Sequence, residues 1–234
     1  MMPDELETYP DLSGISNRLA DLLMETVTKQ FNLALSGGNT PKKIYDLISQ
    51  KPLSWNNIHF FWGDERCVPP DHNESNYKMA KEHLLDKIKI QDHHIHRIKG
   101  ENDPAIEAER YQKEIIQYIE HDKNTPVFDM ILLGLGEDGH IASIFPNQMY
   151  LLNSNRISEV AIHPETGQKR ITLTGPVINM AKIILIIVTG KAKSRVISDI
   201  FFKRGDWKKY PASYINPKNG RLIWIIDSEA SFFL

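Results

Sequence analysis

Cysteine is almost missing: Cys67 stands alone in 234 residues. An intrachain disulfide is therefore excluded, and a reducing, cytoplasmic compartment is the expectation. Long apolar runs are missing as well. The most apolar stretch, Ile183–Val188, is far too short to cross a bilayer as a helix. Its β-branched content predicts a buried strand instead. Met1–Asp11 is acidic and has neither the basic start nor the apolar core of a signal peptide. No sign of charge accumulates, since 28 Lys and Arg are scattered against 30 Asp and Glu, for a formal net charge of −2. Nothing in this balance favours nucleic acid or a membrane as partner. Internal repeats and low-complexity linkers are absent too. One α/β domain over residues 1–234 is expected, in a monomer or homodimer.

What is present is alternation. Leu19, Leu22, Leu23 and Val27 share a helical face, and Phe31–Leu35 reads as a strand. Thr40-Pro41 reads as an N-cap followed by proline at the first helical position. Ile58–Trp62, Phe128–Leu133, 171–174, 183–189 and Leu222–Ile226 read as further strands. Helices are predicted over 75–88, 104–120, 176–180 and 191–202, and in the tail from Ser228. Strands alternating with helices predict a mostly parallel sheet with helices on both faces, a Rossmann-like three-layer sandwich. Ligands of such sheets sit beyond the carboxyl ends of the strands, so the loops there carry the information.

Five such loops hold unusual residues. The first is Ser36-Gly37-Gly38-Asn39-Thr40. Its glycines let backbone N–H groups approach an anion, and the helix start adds positive potential. A tight turn with a cap is the plainer alternative, because neither the Walker nor the dinucleotide fingerprint is matched. The second, Gly63–Pro69, carries Arg66, whose planar fork suits a phosphate. Asp64 and Glu65 beside it are either acid/base groups or supports for Arg66; for Glu65 we favour support. Ser75 and Asn76, further on, read as cap residues that also shape a pocket wall.

The third loop, Gly134–Pro146, contains Asp138-Gly139-His140 where a strand is expected to meet a helix. Histidine titrates near neutral pH and can take a proton from water. Asp138 can set its tautomer or bind a substrate hydroxyl. A histidine that only caps a helix is the bland alternative, and the polar, glycine-rich setting favours catalysis. The fourth loop brings Arg170 at a strand start, where a surface salt bridge is the alternative. The fifth, Thr189–Lys193, places Lys191 and Lys193 at the active edge of the sheet. His93, His94 and His96 are spaced too loosely for a metal site and lack a cysteine, so no metal or cofactor is expected. The remaining histidines, including His59 and His163, share no motif.

Taken together, SGGNTP, DERCVPPDHNESNY, GLGEDGHIASIFP and RITLTGPVIN, followed by TGKAK and NGRLIWIIDSEA, resemble the 6-phosphogluconolactonase family. The resemblance runs from about Leu33 to Ala230 and departs mildly at Asn39, where that family more often has serine. It implies hydrolysis of 6-phospho-D-glucono-1,5-lactone in the oxidative pentose phosphate pathway. It implies His140 as the base, with Ser36 to Thr40, Arg66, Arg170 and Lys193 holding the sugar phosphate. The related glucosamine-6-phosphate deaminases share the Asp-Gly-His and place a catalytic glutamate seven residues after the Asp. That position is Phe145 here, which argues for the lactonase branch. A non-catalytic sugar-phosphate-binding regulator is the remaining rival, and it would need no His140.

Overall fold

The computed structural model describes residues 5–234; residues 1–4, the start of the acidic N-terminal stretch, lie outside the described residues. In chain order the strands are β1 (Glu5–Tyr9), β2 (Phe31–Leu35), β3 (Ile58–Trp62), β4 (Asp64–Arg66), β5 (His121–Asp122), β6 (Thr125–Pro126), β7 (Met130–Leu133), β8 (Ser158–Ile162), β9 (Lys169–Leu173), β10 (Ile183–Val188) and β11 (Arg221–Asp227). The helices are α1 (Leu12–Thr26), α2 (Asn39–Ile48), α3 (Asn76–Ala80), α4 (Asp86–Ile88), α5 (Pro104–Tyr118), α6 (Gly175–Ile178) and α7 (Ser194–Phe202).

Six strands form one sheet in the order β1-β11-β10-β7-β2-β3, with every neighbouring pair parallel. β2, β7 and β10 are buried along their whole length. Strands covered on both faces read as continuous apolar runs, which is why they were legible. Each fully buried Leu or Ile side chain contributes about 1.5–3 kcal/mol. The handedness of βαβ crossovers then places the helices. The chain moves one way along the sheet from β1 to β2 to β3, and back from β3 through β7 and β10 to β11. Right-handed connections put α1 and α2 on one face and α5, α6 and α7 on the other, giving three layers. Adjacent β2 and β7 lead off to opposite faces, so a crevice opens at their carboxyl ends.

Local signals start the long helices. Asp11 caps α1 by accepting from the Gly14 N–H at 3.0 Å, and Asp103 caps α5, whose first residue is Pro104. From α5, Tyr111 donates to the Trp62 carbonyl at 2.8 Å and accepts from the Trp62 N–H at 2.9 Å. This pins the carboxyl end of β3.

Several expectations need correction. α2 begins at Asn39 with Gly38 as its cap residue, at φ +107°, so Thr40 is not the N-cap. The predicted 75–88 helix is α3 and α4 joined by a π-helical turn over Lys81–Leu85. The tail beyond Asp227 forms turns, not a helix. No helix starts at His140; the next helical segment is a 3-10 stretch over Pro146–Asn153. β1, β4 and β8 were not foreseen. The last two pair with β9 as a separate antiparallel sheet, β4-β9-β8.

Candidate active site

The five loops converge on the carboxyl edge of the parallel sheet. After β2, the Ser36 N–H donates to the Tyr45 hydroxyl at 3.1 Å, and that hydroxyl donates to the Ser36 carbonyl at 2.9 Å. Tyr45 therefore fixes the entry to the glycine turn. Gly37 has no room for a side chain: a Cβ would stand 1.8 Å from Asn76 Oδ1. Gly38 needs its positive φ. Among the described residues, the Gly37 and Gly38 amides donate to no acceptor. Thr40 is spoken for, since its hydroxyl hydrogen-bonds that of Thr189 at 2.6 Å and ties the first loop to the fifth. A groove of about 460 Å³ opens beside Gly38, Asn39, Arg66 and Asn76.

Arg66 and Arg170 are directly opposed in the β4–β9 ladder. Opposed residues of an antiparallel pair project from the same face. Neither guanidinium makes an ion pair among the described residues, and the Nε of each is buried without a partner. Arg66 Nη1 donates to the Glu74 carbonyl at 2.6 Å. Arg170 Nη1 donates to Ser143 Oγ at a long 3.5 Å, and the Ser143 hydroxyl donates to buried Asp64 at 2.6 Å. Burial pulls Arg170 below its ordinary pKa, Asp64 opposes this, and the charge of Arg66 adds to the fall. Two half-buried, unneutralised like charges call for an anion between them.

Glu65 is a support, as its neighbours show. Its carboxylate accepts from the N–H groups of Arg66, Asn76 and Tyr77 at 2.7, 2.7 and 2.8 Å, and from the Ser75 hydroxyl at 3.0 Å. Burial nevertheless pushes it up to about 7. Ser75 caps α3 by accepting from the Lys78 N–H. Asn76 donates to the Asp64 carbonyl at 2.9 Å while crowding Gly37, so it does form a wall of the crevice.

After β7, Asp138 and His140 form a tight pair, with Oδ1 and Nδ1 2.6 Å apart. The His140 N–H also donates to that oxygen at 3.1 Å. Burial pushes the Asp138 carboxyl up, but the hydrogen bonds and charge of His140 outweigh it and leave it below the ordinary range. With Nδ1 facing the carboxylate, Nε2 is the ring nitrogen left for chemistry. The His140 side chain is 28 % exposed, so the pair is open to a ligand. Gly139, at φ +78°, lies against the Tyr210 ring, and the Ala212 N–H donates to its carbonyl at 3.1 Å. Fully buried Phe145 packs against His140 with centroids 4.9 Å apart, and Arg170 lies 5.6 Å from its ring. Phe145 thus connects the Asp138–His140 pair to Arg170.

The lysines of the fifth loop separate by direction. Lys191 is exposed and lies over the Phe232 ring at 3.7 Å, pointing to the tail. Lys193 is half-buried, and burial lowers its ammonium against the pull of Glu137 and Asp227. Asp227 holds this loop by accepting from the Gly190 N–H at 3.0 Å. The structure therefore brings Ser36 to Thr40, Arg66, Asp138, His140, Arg170 and Lys193 to one sheet edge and turns Lys191 away.

These loops match a known pattern over most of the chain. A profile described as "Glucosamine-6-phosphate isomerases/6-phosphogluconolactonase" matches residues 12–224. The chain belongs to this family. A 6-phosphogluconolactonase of Haemophilus influenzae is 41% identical over 95% of this chain and 97% of its own length. One from Synechocystis is 40% identical over 86% and 83%. A crystal structure described as the devB protein superposes with a TM-score of 0.93 at 39% identity, covering 97% of this chain and 98% of that one. The Trypanosoma cruzi 6-phosphogluconolactonase superposes at 0.86 with 27% identity, over 99% and 97%.

Two other features lie away from this family's loops. The histidine cluster sits by the edge strand β3, where His59 meets His96 at 2.9 Å and His96 meets Glu114 at 3.0 Å. Among the described residues no group of three His, Cys, Asp or Glu is arranged to hold a metal ion. A larger cavity, about 610 Å³, lies between Arg97, Arg110 and Tyr118 and contains no candidate site residue. Its arginines are already paired, Arg97 with Glu101 and Arg110 with Glu107 and Glu114. Tyr45 and Tyr210 support the site from outside the sequence motifs and are not singled out by the sequence; Ser143, Thr189 and Asp227 lie within those motifs, but their supporting contacts depend on partners distant in the chain. No described helix is long and apolar enough to cross a membrane.

Proposed function

We propose that this chain hydrolyses 6-phospho-D-glucono-1,5-lactone to 6-phosphogluconate in the pentose phosphate pathway, with water activated by His140. The observation that carries the reading is the 2.6 Å Asp138–His140 pair, linked through Phe145 to Arg170 of the unneutralised arginine pair. The Asp138 carboxylate orients the ring so that Nδ1–H donates and the Nε2 lone pair faces the crevice. A water held at Nε2 loses a proton to it and attacks the C1 carbonyl of the lactone. The C1–O5 ring bond breaks, and the His140 imidazolium returns the proton to the departing ring oxygen. The phosphate is held by Arg66 and Arg170, with Lys193 and the free amides of Gly37 and Gly38 as further donors for phosphate or hydroxyls.

Phe145 weighs against an amino-sugar phosphate deaminase. It offers neither proton nor lone pair where that reaction needs a carboxylate, and it is fully buried. The reading further places the enzyme in the cytoplasm, in keeping with its single, unpaired Cys67. The test is acid release from freshly generated 6-phosphogluconolactone, measured against the spontaneous rate. Acceleration by this chain is expected. Equal rates with and without the protein, or ammonia released from glucosamine 6-phosphate instead, would refute the assignment.

A further inference from the structure

His163 shares no motif with the rest of the site in the sequence, yet the hairpin register aims it there. Arg66 opposes Arg170, and Arg170 opposes Ala161. His163 lies two residues beyond Ala161, and alternate strand residues share a face. The ladder continues past β8, because the His163 N–H donates to the Gln168 carbonyl at 2.9 Å. His163 thus projects from the face that carries the two arginines. Its ring meets Phe145 edge-on with centroids 5.2 Å apart, while Phe145 also packs against His140.

The tautomer of His163 follows from its own turn. Nδ1 accepts from the N–H groups of Glu165 and Thr166, each at 3.3 Å. A nitrogen that accepts cannot carry the proton, so the proton is on Nε2. Nε2 has no partner among the described residues. The same turn is tied to the segment that holds Arg66: Gln168 donates to the Glu74 carboxylate at 3.0 Å, and the Glu74 carbonyl receives Arg66.

We propose that His163 is a third arm of the phosphate clamp, a neutral imidazole whose Nε2–H donates to the substrate phosphate beside Arg66 and Arg170. This rests on the phosphate placement proposed above. The groups around the ring, taken together, disfavour the imidazolium. The two backbone donors on Nδ1 would have to be displaced, partial burial and the charges of Arg170 and His140 oppose it, and Glu165 and Asp138 compensate only in part. A donor that stays neutral adds directional binding without adding a third like charge to the arginine pair.

Two substitutions separate donation from support of the turn. In His163→Asn the side-chain oxygen takes the place of Nδ1 and accepts the same turn amides, but no donor reaches the Nε2 position. In His163→Gln the amide nitrogen reaches the Nε2 position, and the turn acceptor is lost. We expect His163→Asn to raise KM for the phosphorylated lactone about tenfold or more, as loss of a hydrogen bond to a charged group does. His163→Gln should stay nearer wild type, and KM for unphosphorylated glucono-1,5-lactone should change far less in either variant. The reverse order, an equal rise in both, or no rise in either overturns the inference. Arg66→Ala is run beside them. If it raises KM while His163→Asn does not, His163 alone is misassigned. If it too leaves KM unchanged, the phosphate placement itself fails.

Discussion

Arg66 and Arg170 stand opposite each other in an antiparallel ladder, and among the described residues neither pairs with a carboxylate. Such an arrangement costs free energy in the empty protein, through repulsion and through two buried Nε groups left without partners. A bound phosphate would reverse both effects. Arg66→Ala should therefore act mainly on KM, at a cost of about 2–4 kcal/mol in kcat/KM. Arg66→Lys should recover only part of this, because a point charge cannot reproduce the fork. Steady-state kinetics with the phosphorylated lactone decide it; a wild-type KM in Arg66→Ala would remove Arg66 from the clamp.

His140→Ala should lower kcat by about 10²–10⁴-fold, the usual contribution of a positioned general base, while product still binds. Asp138→Asn should do less harm, since the amide keeps contact with Nδ1 but no longer stabilises the imidazolium. Initial rates corrected for spontaneous hydrolysis are the measurement. A folded His140→Ala protein with near wild-type kcat would send the search for the base to Asp64 and Glu137.

Gly136 tests how closely the catalytic pair is held. A Cβ there would lie 2.1 Å from His140 Nδ1 and 2.5 Å from Asp138 Oδ1. Gly136→Ala must push the ring aside, and a displacement near 1 Å can cost about 10² in rate. Gly134→Ala, where nothing lies within 4 Å of the added carbon, is the matched control. Equal kcat values for the two variants would contradict the geometry described for this loop.

The histidine cluster by β3 should make itself felt in stability rather than in catalysis. Burial, followed by the charges of His96, His94 and His93, lowers His59 from 6.5 to about 4. The unfolded chain then binds the extra proton between these values, so stability falls as pH drops from about 6.5 to about 4. His59→Gln should flatten that slope in denaturant midpoints measured across the interval. Parallel slopes for wild type and variant would show that the acid sensitivity arises elsewhere.

Much was legible in the chain itself because the signals are local. The buried runs of β2, β3, β7 and β10 announce a parallel sheet, and a parallel sheet puts its ligands at one edge. Asp138-Gly139-His140 and the Gly37-Gly38 turn are contiguous, so their chemistry could be read before their geometry. Composition likewise excluded an intrachain disulfide and an apolar membrane helix.

Tertiary structure decided whatever depends on residues far apart in the chain. The choice of Lys193 over Lys191 turns on a ring in the tail, Phe232, that lures Lys191 away. Thr40, which reads as a helix cap, is instead claimed by Thr189, 149 residues later. The helix expected at His140 does not form, and the ring is held instead by Asp138, 2.6 Å from its Nδ1. β4 is three charged residues long and β8 opens on Ser158-Glu159 without a long apolar run, yet their pairing with β9 is what sets Arg66 against Arg170 and brings His163 to the same face. Local propensity determines elements; only the register between strands distant in sequence determines which charges must share one pocket.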